Sequence, residues 1–569
     1  MNKFELKKQH IFQGTLIILI LLLIGFISNK AFFRIDLTSE HRFTLSKETK
    51  TVLKKLDDVI YVKVYLEGDM PAGFKRLHNA IKENLDEFRV LAKENIQYQF
   101  INPSESSDVK IRNKVYAEIY EKGLKPTNIQ AHDKEGGATE KILFPGALVT
   151  YNGIEISVGF LKNNVALSPE ENLNNSIQTI EYELVRAINS LTNKKTDKIA
   201  FLEGQGELNE LQVGDISREL SNYYQVDRGT INGKPGILDA YKAIIVAKPS
   251  KPFIEADKYV LDQYLMHGGK VLWLIDEVNV NTDSLVNGST FGVVNPLNID
   301  DQLFTYGVRV NPNLIQDVEC NVIPINTAIA GNTPKWTPSP WLYFPLIAPT
   351  VDHPISRSLN LILAKYANQI DTLKGNGKVH NTVLLKTSSF THLVNAPVFI
   401  SLDEIRHTPA RKDFNKSGVP VAVLLEGQFS SAFIGRPLSN ANSGTNAKFQ
   451  SLSMPTSMII VSDGDIIANE IRVTANGSVE SPLGYDKYTK QTFGNKEFIL
   501  NAVNYLLDAN GLMNLRSKEY KLRILDKTKL KDEKLKWELI NTIVPVLLLL
   551  GFGLLYHFMR KRKYSGIAN

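Results

Sequence analysis

Two short stretches of this chain set carboxylates beside glycine after an apolar run. Glu203-Gly204-Gln205-Gly206-Glu207 follows KIAFL, and Asp463-Gly464-Asp465 follows SMIIV. Glycine lets a backbone come close to a ligand, and the acids of the first stretch suit cationic or hydroxyl groups. The paired aspartates of the second suit a cation. Each stretch also has a plainer reading: a glycine-rich turn with solvated acids for 203–207, and a cap on the following helix for Asp463 and Asp465. Cys320, the single cysteine, sits in DVECNVIP, which reads as a loop and not as the sharp strand-to-helix turn that exposes a nucleophile. The ten histidines show no metal-ligand spacing, and neither H-E-x-x-H nor G-x-S-x-G occurs. No G-x-x-x-x-G-K-[ST] is present; Gly268-Gly269-Lys270 precedes a strand and reads as a helix C-cap. The chain lacks the phosphate loop of an ATPase, and no cofactor or metal is expected.

Open α/β sheets bind ligands at the carboxyl ends of their strands, so the elements around these stretches matter. KIAFLEG, VDRGTI, KAIIVAKP and KVLWLID read as strands, separated in part by the helical patterns ELNELQVGDISRELSNYY and FIEADKYVLDQYLMHGG. This alternation predicts a parallel sheet covered on both faces. NTVLLKTSS, VPVAVLLEG and SMIIVSDGDII are expected to rejoin it, followed by the helix NKEFILNAVNYLLD. The proline- and tryptophan-rich TPKWTPSPWLYFPLIAP reads as irregular, with its aromatics either a protein-binding patch or folded back on their own domain. RPLSNANSGTNAKFQS reads as an exposed loop.

An earlier unit reads as β-α-β-α-β-β-α. Its strands are VIYVKVYL, the alternating Ile96, Tyr98 and Phe100, ALVTY and IEISVGFL. Asn152-Gly153 predicts a type I′ hairpin between the last two. Ser46 is a candidate N-cap for the first short helix. Phe74, Leu77, Ile81, Leu85, Phe88 and Leu91 form one helical face, and Ile111, Val115 and Ile119 mark another helix. Ser168, Pro169 and Glu171 open the closing helix with a capping box. This is the thioredoxin order, with Phe144-Pro145 where that fold places a cis-proline; a generic α+β domain is the alternative. Without Cys-x-x-Cys, only the scaffold remains.

Uncharged apolar runs bracket both units. A bilayer core needs about 20 helical residues, and each run is long enough. The first is followed by Asn29-Lys30-Ala31-Phe32-Phe33, with no small-x-small cleavage site, which favours an anchor over a signal peptide. Lys3, Lys7 and Lys8 before the first run, and Arg560-Lys561-Arg562-Lys563 after the second, place both termini in the cytoplasm. Lys30, Arg34 and Arg42, and a lysine-rich stretch before the second run, oppose that bias, so charge alone leaves the orientation open. In the second run, Pro545 predicts a kink, and Gly551-Phe552-Gly553 offers a close-approach face for another helix.

Composition sets the outer bounds. The 569 residues suit two or three domains, and 43% apolar content supports full cores. A net charge of +6 is no nucleic-acid footprint. One cysteine allows no intrachain disulfide.

RIDLTSEHRFTLSKETKTVLKKLDD, GDMPAGFKRLHNAIKENLDEF, LKNNVALSPEENLNNSIQTIEYEL, KIAFLEGQGELNE and GNKEFILNAVNYLLD together resemble the GldG family of gliding-motility-associated ABC transporter auxiliary proteins. The resemblance covers essentially the whole chain. It implies a non-catalytic, substrate-binding-type subunit in the bacterial inner membrane, working with a separate permease and a separate cytoplasmic ATPase. It also implies a periplasmic bulk and contact with periplasmic motility machinery. It supplies no catalytic residues. The fold class expected is α/β: a thioredoxin-like domain and a larger flavodoxin- or amidotransferase-like parallel-sheet domain, flanked by two transmembrane helices. The expected order is a cytoplasmic 1–10, a membrane helix 11–29, the thioredoxin-like domain 30–192 and the α/β domain 197–510 with long insertions. A basic juxtamembrane segment 511–537, a membrane helix 538–559 and a cytoplasmic tail 560–569 follow. The alternative function is a membrane-anchored hydrolase or amidotransferase-like enzyme, because sheets of this kind host many reactions.

Overall fold

The computed structural model describes residues 12–23, 44–132, 138–192, 197–326, 328, 333–373, 378–406, 410–436, 449–474, 477–508, 510–517 and 533–565. The chain divides into two compact units, Met1–Lys518 and Glu519–Asn569.

The first unit opens with a short apolar helix, α1 (Phe12–Leu23), whose side chains are largely exposed. The remainder of the expected 11–29 span lies outside the described residues. Helix α2 (Lys47–Lys54) is capped by Ser46, whose side chain accepts from the Thr49 N–H. Strand β1 (Ile60–Val64), helix α3 (Ala72–Leu91), strand β2 (Ile96–Phe100) and helix α4 (Val109–Glu121) follow. Next come β3 (Thr127–His132) and β4 (Ala138–Leu143), a separate antiparallel ladder that the sequence reading lacks. Then β5 (Gly146–Tyr151) and β6 (Ile154–Gly159) precede the long helix α5 (Pro169–Thr192).

The sheet order is β2-β1-β5-β6. β1 and β2 are parallel, and β5 and β6 run antiparallel to their neighbours. Asn152 (φ 48°) and Gly153 (φ 79°) turn β5 into β6, both left-handed as a type I′ turn requires. Phe74, Leu77, Ile81, Leu85 and Phe88 bury one face of α3, while Leu91 is only partly buried. The Ser168–Glu171 capping box forms as expected: Ser168 N–H donates to Glu171 Oε2 at 2.9 Å, and Glu171 N–H to Ser168 Oγ at 3.3 Å. One expectation is corrected. The Phe144–Pro145 bond is trans; among the described residues the cis peptide is Ala396–Pro397. The chain turns at Pro145 through a tight bond from Gly146 N–H to Phe144 O at 2.8 Å.

A second, ten-stranded sheet organises residues 198–506. Its first members are β7 (Lys198–Glu203), β8 (Gln225–Thr230), β9 (Ala243–Ala247) and β10 (Lys270–Leu274), with α6 (Gly214–Ser221) and α7 (Glu255–Met266) between them. An insertion follows: β11 (Val278–Val280), β12 (Ser289–Val294), α8 (Asp300–Tyr306), β13 (Val308–Val310), β14 (Asn313–Asp317), β15 (Cys320–Asn326), β16 (Trp336–Pro349), β17 (Ile362–Leu363) and β18 (Ile370–Thr372). The chain continues through β19 (Val379–Lys386), β20 (Thr391–Asn395), β21 (Val398–Ser401), β22 (Pro420–Gly427), β23 (Thr456–Val461) and α9 (Asn495–Leu506).

The sheet runs β15-β16-β19-β22-β23-β10-β9-β7-β8, with β17 paired to β16. Strands β23, β10, β9, β7 and β8 are mutually parallel. The expected parallel sheet covers only this half, because β22, β19 and β16 join antiparallel. Parallel neighbours need a crossover, usually a helix, and the chain between β19 and β23 supplies no α-helix among the described residues.

Alternate residues of the parallel strands enter two cores. Ile199, Phe201, Ile245 and Leu272 pack with Ile216 of α6 and Phe498 and Val503 of α9. Ala200, Ile244, Val246 and Trp273 pack with Leu261 and Leu265 of α7 and Leu303 of α8. Two further readings change. The stretch taken as irregular is strand β16, and Trp341, Tyr343 and Phe344 are buried in their own domain, while Trp336 stays exposed. Cys320 opens β15 instead of lying in a loop.

The second unit contains α10 (Lys534–Ser565), with Pro545 inside it. It begins before the expected residue 538 and runs past 559. Its Lys534–Arg562 portion is, among the described residues, the one helix long and apolar enough to cross a membrane. Of the expected basic segment 511–537, residues 518–532 lie outside the described residues. Leu512–Ser517 is instead a short 3-10 helix whose Leu512, Met513 and Leu515 join the core of the first sheet.

Candidate functional site

In chain order the five parallel strands are β7, β8, β9, β10 and β23, yet β7 lies between β8 and β9. The chain therefore leaves β7 in one direction and returns to its other side. The carboxyl ends of β7 and β9 flank the crevice where such sheets ordinarily place ligands.

Residues 203–207 occupy that crevice themselves. Gly204 (φ 121°) and Gly206 (φ 73°) turn the loop back over β9. The Gln205 carbonyl accepts from the Ser250 and Lys251 N–H groups, both at 2.9 Å, and Leu208 N–H reaches Ala247 O at 3.0 Å. A β-carbon at Gly206 would sit 2.3 Å from Ser250 Oγ, so the packing leaves no room for a side chain. Glu203 Oε1 accepts from Arg228 Nε at 2.7 Å. Gln205 Nε2 donates to Asp257 Oδ2 at 2.9 Å, and Glu207 Oε2 accepts from Gln205 N–H at 2.8 Å. Burial pushes the Glu207 carboxyl up. The five residues are thus brought together, as a plug between two strand ends.

The second predicted stretch meets two residues the sequence reading did not single out. Lys248, just after β9, lies between Asp276, just after β10, and Asp465. Its Nζ is 3.2 Å from Asp276 Oδ2 and 2.6 Å from Asp465 Oδ1. Its backbone is left-handed, with φ 56°, a conformation that is uncommon outside glycine. Asp463, after β23, caps the 3-10 turn Gly464–Ile467 by accepting from Asp465 N–H at 2.7 Å, and it accepts from Lys365 N–H at 2.6 Å. Asp276 Oδ1 accepts from Gly464 N–H at 2.5 Å.

Burial alone would lower the Lys248 ammonium, but the Asp465 and Asp276 charges outweigh it and push it up. Burial, then Asp465 and Asp276, push the Asp463 carboxyl up, and burial, opposed by Lys248 and helped by Asp465, pushes the Asp276 carboxyl up. An internal lysine therefore stands as the cation between Asp465 and Asp276, while Asp463 serves as the cap. No cluster of three or more metal-ligating side chains occurs among the described residues. Glu277 follows Asp276; burial, helped by Asp300 and opposed by Arg309, pushes it up to about 8. Asp276 and Glu277 were legible as acids at a strand end; nothing local in the sequence marks Lys248 as their partner.

What this edge can do is tie three strand-end loops together through one lysine and several backbone N–H groups. A different junction carries the route to the chain termini. Helix α5 is buried along most of its length. Ser46 N–H and Thr49 Oγ1 of the α2 region both donate to Glu181 Oε1, at 2.8 and 2.7 Å. On the same helix Tyr182 OH donates to Met513 Sδ at 3.1 Å. Arg516, buried, donates through Nε to Pro354 O at 2.8 Å, with its guanidinium 5.2 Å from the Tyr182 ring centroid. Glu183 bridges Lys162 Nζ (2.6 Å) and Arg186 Nη2 (2.9 Å). Burial would raise its carboxyl, but Lys162 and Arg186 prevail and hold it at about 2. In the second unit, β-carbons at Gly551 and Gly553 would meet no atom within 4 Å, so that face of α10 is open within its unit.

The described residues form a mixed α/β body whose strand-end acids are engaged internally, and a separate unit with one helix long and apolar enough to cross a membrane. The chain belongs to the family described as an ABC-type uncharacterized transport system, whose model matches residues 196–502. Residues 39–150 match a domain of unknown function (DUF7088). A protein of Borreliella burgdorferi, named only as uncharacterized, is 22% identical over 578 residues, covering 98% of this chain and 99% of its own length. Among solved structures, the IFT52 N-terminal domain is 13% identical with a TM-score of 0.31, covering 55% of this chain and 98% of its own. A ThuA-like protein from Parabacteroides merdae is 9% identical with a TM-score of 0.26, covering 58% and 93%. At such TM-scores neither defines this fold.

Proposed function

We propose that the chain is a non-catalytic auxiliary subunit of an ABC transporter that serves gliding motility. Two membrane helices anchor it in the bacterial inner membrane, and the bulk of it is periplasmic. Its partners are a permease and a separate cytoplasmic ATPase, with periplasmic motility machinery as the third contact. The observation that carries this reading is the junction on α5. The chain after the N-terminal apolar helix and the chain before the C-terminal one both dock there, as a subunit that relays motion from a membrane motor requires. Family membership supports the auxiliary role. The first domain is taken as thioredoxin-like on its strand order and directions, with the trans Pro145 counting against it. The second is taken as flavodoxin-like on the order of its five parallel strands.

Purification of the intact membrane protein tests the role. Co-purification of a permease and an ATPase is expected; substrate turnover by the chain alone would replace this reading with an enzyme. Reporter fusions after residue 35 and near residue 530 should read periplasmic, and one after Asn569 cytoplasmic. A cytoplasmic signal from either of the first two would overturn the double anchor. Replacing Gly551 and Gly553 with leucine should preserve insertion and weaken permease association, since small residues allow close helix approach.

A further inference from the structure

Between α2, α5, the end of α6 and the end of α9 lies a groove of 680 Å³, within the size range of small-molecule sites. Lys47 and Lys55 stand on its rim and the rings of Tyr223 and Tyr224 line it, together with Arg186 and Asn504. Two donors beneath it have no acceptor among the described residues: Arg186 Nε and Asn504 Nδ2. Asn504 is nine-tenths buried, and its other amide atom is fixed, because Oδ1 accepts from Tyr224 OH at 2.8 Å. Buried donors are nearly always paired, so two left unpaired beside one groove call for an acceptor beyond the described residues. A second cavity, of 310 Å³ at the amino ends of β9 and β10, has no unpaired polar atom in its lining among the described residues.

We infer that this groove binds a small organic anion. Its carboxylate or phosphate oxygens would face Arg186 Nε and Asn504 Nδ2, and its carbon skeleton would lie against Tyr223 and Tyr224. Glu48, Asp197 and Asp508 also line the groove, beside Lys47, Lys55 and Arg186, and both oxygens of Asp508 already accept, from the Leu512 and Met513 N–H groups at 3.0 and 2.7 Å. Neither donor nitrogen is open as the groove stands, so the ligand enters by displacing a tyrosine ring. Tyr223 is partly buried and packs on the core of the large sheet, 5.2 Å from the Arg186 guanidinium and 6.3 Å from the Tyr224 ring, so its displacement is part of the binding step. The same chemistry is carried by a free metabolite anion and by an anionic lipid headgroup.

The full chain in detergent micelles is titrated calorimetrically with citrate and with inorganic phosphate. The full chain in nanodiscs is compared between phosphatidylglycerol and phosphatidylcholine, with lipid retention read by mass spectrometry. Binding of citrate or phosphate assigns a free anion; selective retention of phosphatidylglycerol alone assigns a headgroup. Asn504→Asp keeps the volume and the Tyr224 contact but removes the donor and adds a negative charge, so affinity should fall at least about tenfold. Thr51→Trp, at an exposed position on α2, should fill the groove, abolish binding and leave the fold intact; it decides alone if Asn504→Asp does not fold. The inference is overturned if none of the probes binds, if Thr51→Trp leaves binding unchanged, or if a folded Asn504→Asp variant binds normally. It is independent of the transporter reading, because permease and ATPase co-purification is measured separately.

Discussion

Thr49 Oγ1 donates to Glu181 Oε1 at 2.7 Å, joining residues 132 positions apart in the chain. The same carboxylate oxygen accepts from Ser46 N–H. One buried acid thus holds the entry of α2 against α5. Glu181→Ala leaves two donors unmatched and should cost about 2–3 kcal/mol, while Glu181→Gln, which keeps an acceptor oxygen, should cost less. Urea unfolding of the two variants checks the order; equal losses would show that charge, not acceptance, matters there.

Glu183 gives the pH dependence. Its folded carboxyl, at about 2, lies below the ordinary value of 4.5. Its contribution is therefore complete above about pH 4.5 and is lost as pH falls through about 2, an order-of-magnitude loss of about 3 kcal/mol. Glu183→Gln should flatten that part of the stability profile. It should also destabilise at pH 7 by about 3–5 kcal/mol, because Lys162 and Arg186 lose their shared partner. Denaturant midpoints from pH 7 to pH 2 read both effects.

Gly464 is fixed by contact. A β-carbon there would sit 2.5 Å from Lys248 Cβ and 3.0 Å from its Cα. Gly464→Ala should push Lys248 off its two aspartates and cost about 2–4 kcal/mol, the range of an overpacked site with a disturbed buried pair. Thermal unfolding measures it, and an unchanged melting point would mean that the strand-end loops yield freely.

Cys320 should react slowly. Burial pushes its thiol from 9.0 up to about 11. Only the thiolate attacks, so alkylation by iodoacetamide at pH 8 should run about a hundredfold slower in the native chain than in the unfolded one. Equal rates would place the thiol in open solvent.

The purified chain should neither bind nor hydrolyse ATP, because no phosphate-cradling loop with its lysine occurs in the sequence. Saturable hydrolysis by the pure protein would refute this.

Features with local causes were legible in the sequence. The Ser168–Glu171 box and the Asn152-Gly153 turn are set by residues at most three positions apart, and both form. Strands β19, β22 and β23 could be named because continuous apolar runs such as VPVAVLLEG admit few other fates. Strand β16 could not be, because its prolines read as breakers; yet Trp336–Pro345 pairs with β15 alone, and a missing donor on the unpaired side breaks no ladder. Half the sheet turned antiparallel for a reason no single segment displays, the lack of a crossover helix. At the candidate site, Asp463 and Asp465 were visible as acids after a strand. Lys248 was not visible as their partner, since only the parallel pairing of β9, β10 and β23 brings three distant loop starts together. The groove beside α5 was invisible for the same reason, its walls coming from four helices spread along the chain.

The docking of α2 and Leu512–Ser517 on one helix has a mechanical meaning. The chain leaves and rejoins nearly the same spot, so everything between forms a closed excursion. A pull entering at α2 and at Leu512–Ser517 meets on α5, through the Glu181 and Tyr182 contacts, which pack on the core of the first sheet. Tension would therefore shear the α2 and Met513 contacts before it stretched a single strand. The strands between these contacts would keep their register.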